Sequence, residues 1–468
     1  MGESLLRDLS LLAEDAAGRE GMLVPRGEEE HRGIMARMCR NYPEVFGAKN
    51  ARIHAVSTES VRAIMSMSCA LEELRVHYPA VRIERECGPR ITRSLFGSEG
   101  RKKAGKKTSA IKKDIVKAAA PDAFMGRIFK NPEALNPADA RTLLESVWEC
   151  AAAARMNDAL GIDLFRYLEP EDVRGCWLER NRYMYMAYGP SRRFGTTVLP
   201  DMEGMMHDII DRADAAVEGH GCSADLRFGH DVQVVPVAAL LGIENCVTSP
   251  QETAESLPAW WDFRRISPMA ANIQLVFYRS PRHEDILVKV LLCEKEVRLR
   301  GLDSSAQGPY YRWEDVKKQI ESNLSALLLG KMPGSLRVAL IGDIQVPDEA
   351  ALDRVRKTLF KDLSHRRDID FGILDGDLVE ERCDLLPAVK AACDSLPFPM
   401  FAVMGNHDRD GELLGNRTTA SWDAVFGYRD TTFVAGGIRF VFLNSIRNSR
   451  VRPERDYVIA ATEAQKAW

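Results

Sequence analysis

The sequence predicts an α/β protein of two domains, and three observations carry that expectation. Helical and extended patterns alternate through the first 328 residues. A break rich in glycine and proline follows, Gly330-Lys331-Met332-Pro333-Gly334-Ser335. Beyond it, short apolar runs and helical runs succeed one another as strand, helix, strand, helix, strand. That order suits a parallel sheet with right-handed crossovers.

The elements follow in order. Residues 1–21 form an acidic amphipathic pattern, unlike a secretory leader. Residues 28–40 read as a helix stopped near Pro43, and residues 51–56 as a short strand. A long helix is expected over 59–76, where Ile64, Met67, Ala70 and Leu71 share one face. Residues 98–180 read as mostly helical, a cap or insertion. Strands are expected at 224–228 and 274–278, a hairpin from 286–293 and 296–299, and a helix over 313–329. Residues 329–335 form the linker. In the second domain, 336–468, the strands fall at 338–341, 371–374, 400–404 and 440–443, with helices at 350–363 and 386–393. Trp260-Trp261 and Tyr310-Tyr311 read as core.

Composition excludes several classes. The chain has 468 residues, 45% hydrophobic and 28% charged, with a formal net charge of −4. That gives no bulk basic field, and no nucleic-acid partner is expected. One local exception is the lysine-rich stretch 101–117, a solvated face or a patch for a polyanion. Ten cysteines occur without a CxxC pair, which argues against zinc-thiolate and thioredoxin-like chemistry. No apolar run reaches the roughly 18–20 residues of a membrane span.

The second domain carries the sharper chemistry. Its first three strands end in Gly342-Asp343-Ile344-Gln345, Asp375-Gly376-Asp377 and Gly405-Asn406-His407-Asp408. Sites in open α/β sheets lie at the carboxyl ends of strands. Asp343, Gln345, Asp377, Asn406 and His407 should therefore converge. Oxygen and imidazole donors suit divalent cations such as Mn, Fe, Zn or Mg. A shared carboxylate between two ions about 3.5–4 Å apart would make a two-metal centre for phosphoryl chemistry.

Gly-Asp-x-Gln, Gly-Asp and Gly-Asn-His-Asp, in this order, resemble the calcineurin-like metallophosphoesterases. The resemblance implies that Asp343 and Gln345 bind one metal, that Asp377 bridges two, and that Asn406 binds the second. His407 would meet the phosphate or the leaving oxygen, with Asp408 orienting it. Gln345 stands where the family commonly has histidine. No histidine follows His407, so the family's later metal-binding histidines have no counterpart.

The first domain is fainter. Ser57-Thr58-Glu59-Ser60-Val61-Arg62 leads from a strand into a helix and puts a guanidinium near a helix N-terminus, a natural phosphate site. Asp225-Leu226-Arg227-Phe228-Gly229-His230-Asp231 runs from a strand into a His-Asp pair suited to acid catalysis on a phosphate ester. Together with residues 23–74 and the segment ending at Leu299, these motifs resemble the branched histidine acid phosphatases, which include multiple inositol polyphosphate phosphatases and phytases. The resemblance implies that Arg62 and His230 contact phosphate, that Asp231 donates a proton, and that no cofactor is needed. The family's nucleophile, a histidine in an Arg-His-Gly-x-Arg motif, has no counterpart in residues 1–30. His31, in Glu30-His31-Arg32-Gly33, reads as a helical side chain.

The two resemblances imply a hydrolase of phosphate esters on phosphorylated small molecules, possible substrates including inositol polyphosphates. Both domains look cut short, so impaired activity is expected, and the competing reading is a polyanion-binding pseudo-phosphatase. A periplasmic or extracellular place is implied for the parent protein.

Overall fold

The computed structural model describes residues 1–96, 110–111, 115, 117–134, 136–155, 158–195, 199–249, 251–281, 283–304, 308–328, 336–367, 369–411, 417–435, 438–448 and 457–466. The chain divides into two compact units, Met1–Leu328 and Leu329–Trp468. The linker at 329–335 and most of the lysine-rich stretch lie outside the described residues.

At the centre of the first unit is β1, Arg52–Ser57, paired in parallel with β2, Arg82–Cys87, and β3, Ala224–Phe228. Ile53 sits opposite Ile83 on one side and Ala224 on the other. From Ile53 to Ser57 every residue of β1 is buried, as a strand covered on both faces must be. The helices Pro25–Asn41 and Val61–His77 pack against each other beside this sheet. Met35, Cys39, Met67, Leu71 and Leu74 join Ile53 and Ala55 in one core.

A second sheet is antiparallel. β4, Ile273–Ser280, pairs with β5, His283–Leu292, which also pairs with β6, Lys295–Glu296, and β7, Tyr310–Arg312. The β5–β6 arm is shorter than the sequence suggested. Leu292 faces Lys295 across a two-residue turn in which Cys293 and Glu294 both take positive φ, 49° and 64°. This is the backbone of a type I′ hairpin without its usual Asn or Gly, and Leu299 goes on to bridge Ile243 instead.

The cap is built from helices that each start on proline: Pro121–Ile128, Pro137–Ala154 and Pro170–Ala187. Asn136 caps the second, accepting from the N–H groups of Ala138 and Asp139 at 3.0 and 2.9 Å. The N-terminal helix, Gly2–Ala16, joins this cap. Its Leu5 packs with Phe124, Leu144, Leu164 and Tyr167, and its buried Asp8 accepts from Tyr167 Oη at 2.8 Å. Trp261 is fully buried, edge-on to Tyr185 at 5.2 Å. All ten cysteines are free thiols.

In the second unit β8, Val338–Gly342, β9, Phe371–Asp375, and β10, Met400–Val403, form a parallel sheet in the order β10-β9-β8. Helical segments from Glu349 to Ser364 and the helix Leu386–Asp394 bury Leu352, Phe360, Leu386 and Val389 with Leu374, Ala402 and Trp422. The fourth expected strand lies in a separate hairpin, β11 Thr431–Ala435 with β12 Ile438–Phe442. Phe371 meets Phe433 and Phe440 of that hairpin edge-on at 5.1 and 4.9 Å. A short pair, β13 Ile446–Asn448 and β14 Tyr457–Ile459, completes the unit.

Trp261→Ala removes a ring with no exposed surface and should cost about 3–5 kcal/mol. A clear drop in the thermal unfolding midpoint is expected; an unchanged midpoint would show that the cavity collapses without cost.

Candidate active sites

The second unit's motifs lie in the loops that follow β8, β9 and β10. The first two loops continue pairing beyond their strands. Gln345 N–H donates to Asp377 O at 2.9 Å, and Val346 N–H to Leu378 O at 3.1 Å. The third loop closes on the second, because His407 N–H donates to Asp377 Oδ1 at 3.0 Å. Gly405 makes this approach possible. A Cβ there would lie 2.1 Å from both the nitrogen and Oδ1 of Asp377, so a larger residue collides.

Backbone strain concentrates here. Among the described residues eight non-glycine positions have positive φ, and four belong to this site: Asp343 (44°), Gln345 (34°), Asp377 (45°) and Glu381 (54°). Each such residue costs on the order of 1–3 kcal/mol, which is tolerated where the surroundings over-determine the backbone.

The role expected of Asp408 is corrected. It does not orient His407. Asp408 is fully buried, and its Oδ1 accepts from Leu378 and Val379 N–H at 2.7 and 3.0 Å while Oδ2 accepts from Gly405 N–H at 2.8 Å. Burial pushes its carboxyl up to about 6, against the opposing pull of these backbone donors. The group beside the imidazole is Glu381, whose Oε1 lies 2.6 Å from His407 Nδ1. A carboxylate can only accept, so Nδ1 carries the hydrogen and the neutral ring keeps Nε2 as an acceptor. Behind this pair Asn406 O accepts from two buried arginines, Arg409 Nε at 3.2 Å and Arg417 Nη1 at 3.3 Å. Arg417 also reaches Glu381 at 3.5 Å. Sequence reasoning missed Glu381, Arg409 and Arg417. Nothing local distinguishes Glu381 from Glu380 next to it; Glu381, whose backbone is left-handed, is the one that reaches the imidazole.

The candidate donors on these three loops are two carboxylates, Asp343 and Asp377, and two amides, Gln345 and Asn406. Among the described residues no three His, Cys, Asp or Glu side chains form a group that could hold a metal ion. The chemistry of the donors nevertheless fits a hard divalent cation, since all four are oxygen ligands.

The first unit places its candidates at the carboxyl ends of β1 and β3. Arg62 stands exposed in the first turn of Val61–His77, and His230 sits just before the helix Asp231–Leu240. They meet: Arg62 Nη2 lies 3.3 Å from His230 Nδ1, and Thr58 Oγ1 lies 3.0 Å from Nε2. Guanidinium only donates, so Nδ1 accepts and the neutral ring carries its hydrogen on Nε2, toward Thr58. Gln233 fixes the turn by accepting from His230 N–H at 2.7 Å. A Cβ on Gly229 would strike Gln233 Oε1 at 2.1 Å. Asp231 Oδ1 accepts from Val232 N–H at 2.9 Å, leaving Oδ2 for other work. Thr58 lay within the quoted motif but was given no role. Arg62 and His230 line a cavity of about 2230 Å³ whose wall holds eight arginines against four carboxylates. His31, in a helix as expected, lies in that wall, and burial holds its imidazole below the usual range.

Residues 336–464 match the family model of calcineurin-like phosphoesterases. The C-terminal unit is a calcineurin-like phosphoesterase domain. The family places the chain among hydrolases of phosphate ester bonds. Its N-terminal part shares a fold with the multiple inositol polyphosphate phosphatase of Bifidobacterium longum. The complex with inositol hexasulfate aligns with a TM-score of 0.54 at 15% identity, over 64% of this chain and 79% of that one. The apo form of the same protein gives 0.50 at 15% identity over the same shares. A phytase from D. castellii aligns at 0.48 with 11% identity, over 67% of this chain and 70% of that one. No curated protein matches the sequence.

Asp408→Ala strips three backbone N–H groups of their acceptor. At about 1–3 kcal/mol for each unsatisfied donor, the variant should unfold at a much lower temperature; a change of a degree or two would mean that water replaces the carboxylate. His31 gives a pH signature. Its depressed pKa means that the folded state binds fewer protons than the unfolded chain. Its contribution is therefore present above about 6.5 and lost as pH falls. His31→Gln should flatten the acid side of the melting-temperature profile, and an unaltered profile would remove His31 from the account.

Proposed function

We propose that the chain acts on phosphate esters through two separate sites, a metal-assisted hydrolytic site in the C-terminal domain and a phosphate-binding site in the N-terminal unit, with weak turnover at both. The observation that carries this reading is the left-handed backbone at Asp343, Gln345 and Asp377. Left-handed residues of this kind, here following two adjacent strands, cluster at active sites and ligand clamps.

In the C-terminal domain Asp343, Gln345, Asp377 and Asn406 would hold a divalent cation, with Mn or Mg favoured by the all-oxygen donors. Such an ion lowers the pKa of water and offsets charge on a phosphoryl group. The chain's own residues do the rest. Glu381 and Arg417 fix the His407 ring, so that Nε2 is left to pass a proton to or from the ester. Two amides among four donors suggest modest metal affinity, which motivates the weak turnover.

In the N-terminal unit Arg62 offers its remaining N–H groups to a phosphate beside a helix N-terminus. In this reading Asp231 donates the proton, through the oxygen not engaged by Val232 N–H. Both ring nitrogens of His230 are already engaged by Arg62 and Thr58. That supports binding over covalent catalysis here, and with it a polyanion-binding pseudo-phosphatase as the second reading for this unit. The cationic cavity wall favours a multiply phosphorylated small molecule, and an inositol polyphosphate is the class to try first.

Turnover of p-nitrophenyl phosphate should be slow, should rise with manganese, and should fall to background in Asp377→Ala. Inositol hexakisphosphate should bind by calorimetry with little product, and about tenfold more weakly in Arg62→Ala. Robust metal-independent turnover lost in His230→Ala would overturn the binding role of the first site. Manganese-independent turnover retained in Asp377→Ala would overturn the second.

A further inference from the structure

The two motifs of the first unit leave the sheet at neighbouring points. Thr58 N–H donates to Phe228 O at 3.1 Å, where β1 and β3 end. Residues 58–60 and 229–230 lie outside strands and helices, so no ladder sets their separation. The contact they carry is demanding all the same. Arg62 Nη2 lies 3.3 Å from His230 Nδ1, and a hydrogen bond is lost by about 3.6 Å.

One helix reaches both loops. Pro89–Phe96 follows β2 after Gly88, whose φ of 123° turns the chain. Its Thr92 and Leu95 are three residues apart and share a face, and both are buried. Thr92 Oγ1 accepts from Glu59 N–H at 3.0 Å, in the loop that leads to Arg62. Leu95 O accepts from Gln233 Nε2 at 3.0 Å. The other end of the same amide holds His230, whose N–H donates to Gln233 Oε1.

The bonds leave little freedom. Gln233 is buried, and an amide engaged at both ends has one orientation, with Oε1 accepting and Nε2 donating. Leu95 sits in the last turn of its helix, where carbonyls have no intrahelical partner. Gln233 supplies one, so the helix end and the turn at His230 are satisfied together.

We propose that the helix Pro89–Phe96 sets the separation of Arg62 and His230, with Thr92 and Gln233 as the positioning residues. Thr92 acts through the Arg62 loop and Gln233 through the His230 turn. The functional consequence rests on the phosphate-binding reading of this site. A guanidinium held at a fixed distance from the imidazole presents its remaining N–H groups to a phosphate in one geometry.

The first readout is the His230 ring and needs no ligand. Held between Arg62 and Thr58, the neutral ring carries its hydrogen on Nε2. Long-range proton–nitrogen correlation NMR at about pH 8.5, above the ordinary histidine range, should show that single tautomer. The signals are assigned by their loss in His230→Gln. Thr92→Val and Gln233→Met should each shift the ring to a mixture of tautomers, and Thr92→Ser should restore the wild-type pattern. The second readout is calorimetry with inositol hexakisphosphate, with binding about tenfold weaker in Thr92→Val. Adding Thr92→Val to Arg62→Ala should cost nothing more, because Thr92 acts through Arg62. A wild-type ring of mixed tautomers, a ring unchanged in both variants, a lower melting temperature without a change in the ring, or affinity losses that add would each overturn the proposal. If the wild type leaves the polyphosphate unbound while the ring responds, the positioning role stands and the phosphate-binding reading falls. Should the variants fail to fold, amide exchange in the unaltered protein decides. The N–H groups of Glu59 and His230 should open together with those of residues 92–96, and unrelated rates would overturn the proposal.

Discussion

Three backbone N–H groups from two loops, at Leu378, Val379 and Gly405, converge on the carboxylate of Asp408. The rest of the C-terminal site depends on this constraint. Asp408 fixes the loop after β9 relative to the loop after β10, and Gly405 lets them touch. His407 N–H then holds one oxygen of Asp377. The left-handed residues can persist because buried hydrogen bonds over-determine the backbone around them. The buried Asp408 is costly in isolation, and the donors that satisfy it are also what give the site its shape.

A second layer extends the same logic to the imidazole. Glu381 selects the ring's tautomer, Arg417 steadies Glu381, and Arg409 and Arg417 share the carbonyl of Asn406. Each member acts through a neighbour, with only His407 and the oxygen donors left to face a substrate. The N-terminal unit uses a simpler device. Gln233 sets the turn at His230, and Arg62 and Thr58 take one ring nitrogen each. The site proposed for the first unit is thus built on cationic donors, and the one proposed for the second on candidate oxygen ligands.

Much of the local structure was legible because it rests on periodicity. The helix expected at 59–76 is observed at Val61–His77, and the strand expected at 224–228 lies at those residues. The three strand ends of the second domain follow the motifs. The misses have a shared cause. The hairpin expected from 286–293 and 296–299 forms, but its turn at Cys293 and Glu294 has no Asn or Gly, so nothing local marked how short its second arm is. The N-terminal helix was recognised, yet its packing into a cap more than a hundred residues away was not. The family resemblance implies that Asp408 orients His407, but a side chain's partner depends on where the loop turns it, and here that is the backbone N–H groups of Leu378, Val379 and Gly405.

By itself the sequence determined which residues could do chemistry: the acidic and amide groups at strand ends, the His-Asp pair, and the arginine at a helix start. Those follow from side-chain type and from the alternation of apolar runs, which are properties of the chain as written. Tertiary structure alone decided which of them meet, that Glu381 and not Asp408 holds His407, and that Arg62 and Thr58 meet the two ring nitrogens of His230. Contacts of that kind join residues tens to hundreds of positions apart, and only the packed fold brings them within hydrogen-bonding distance.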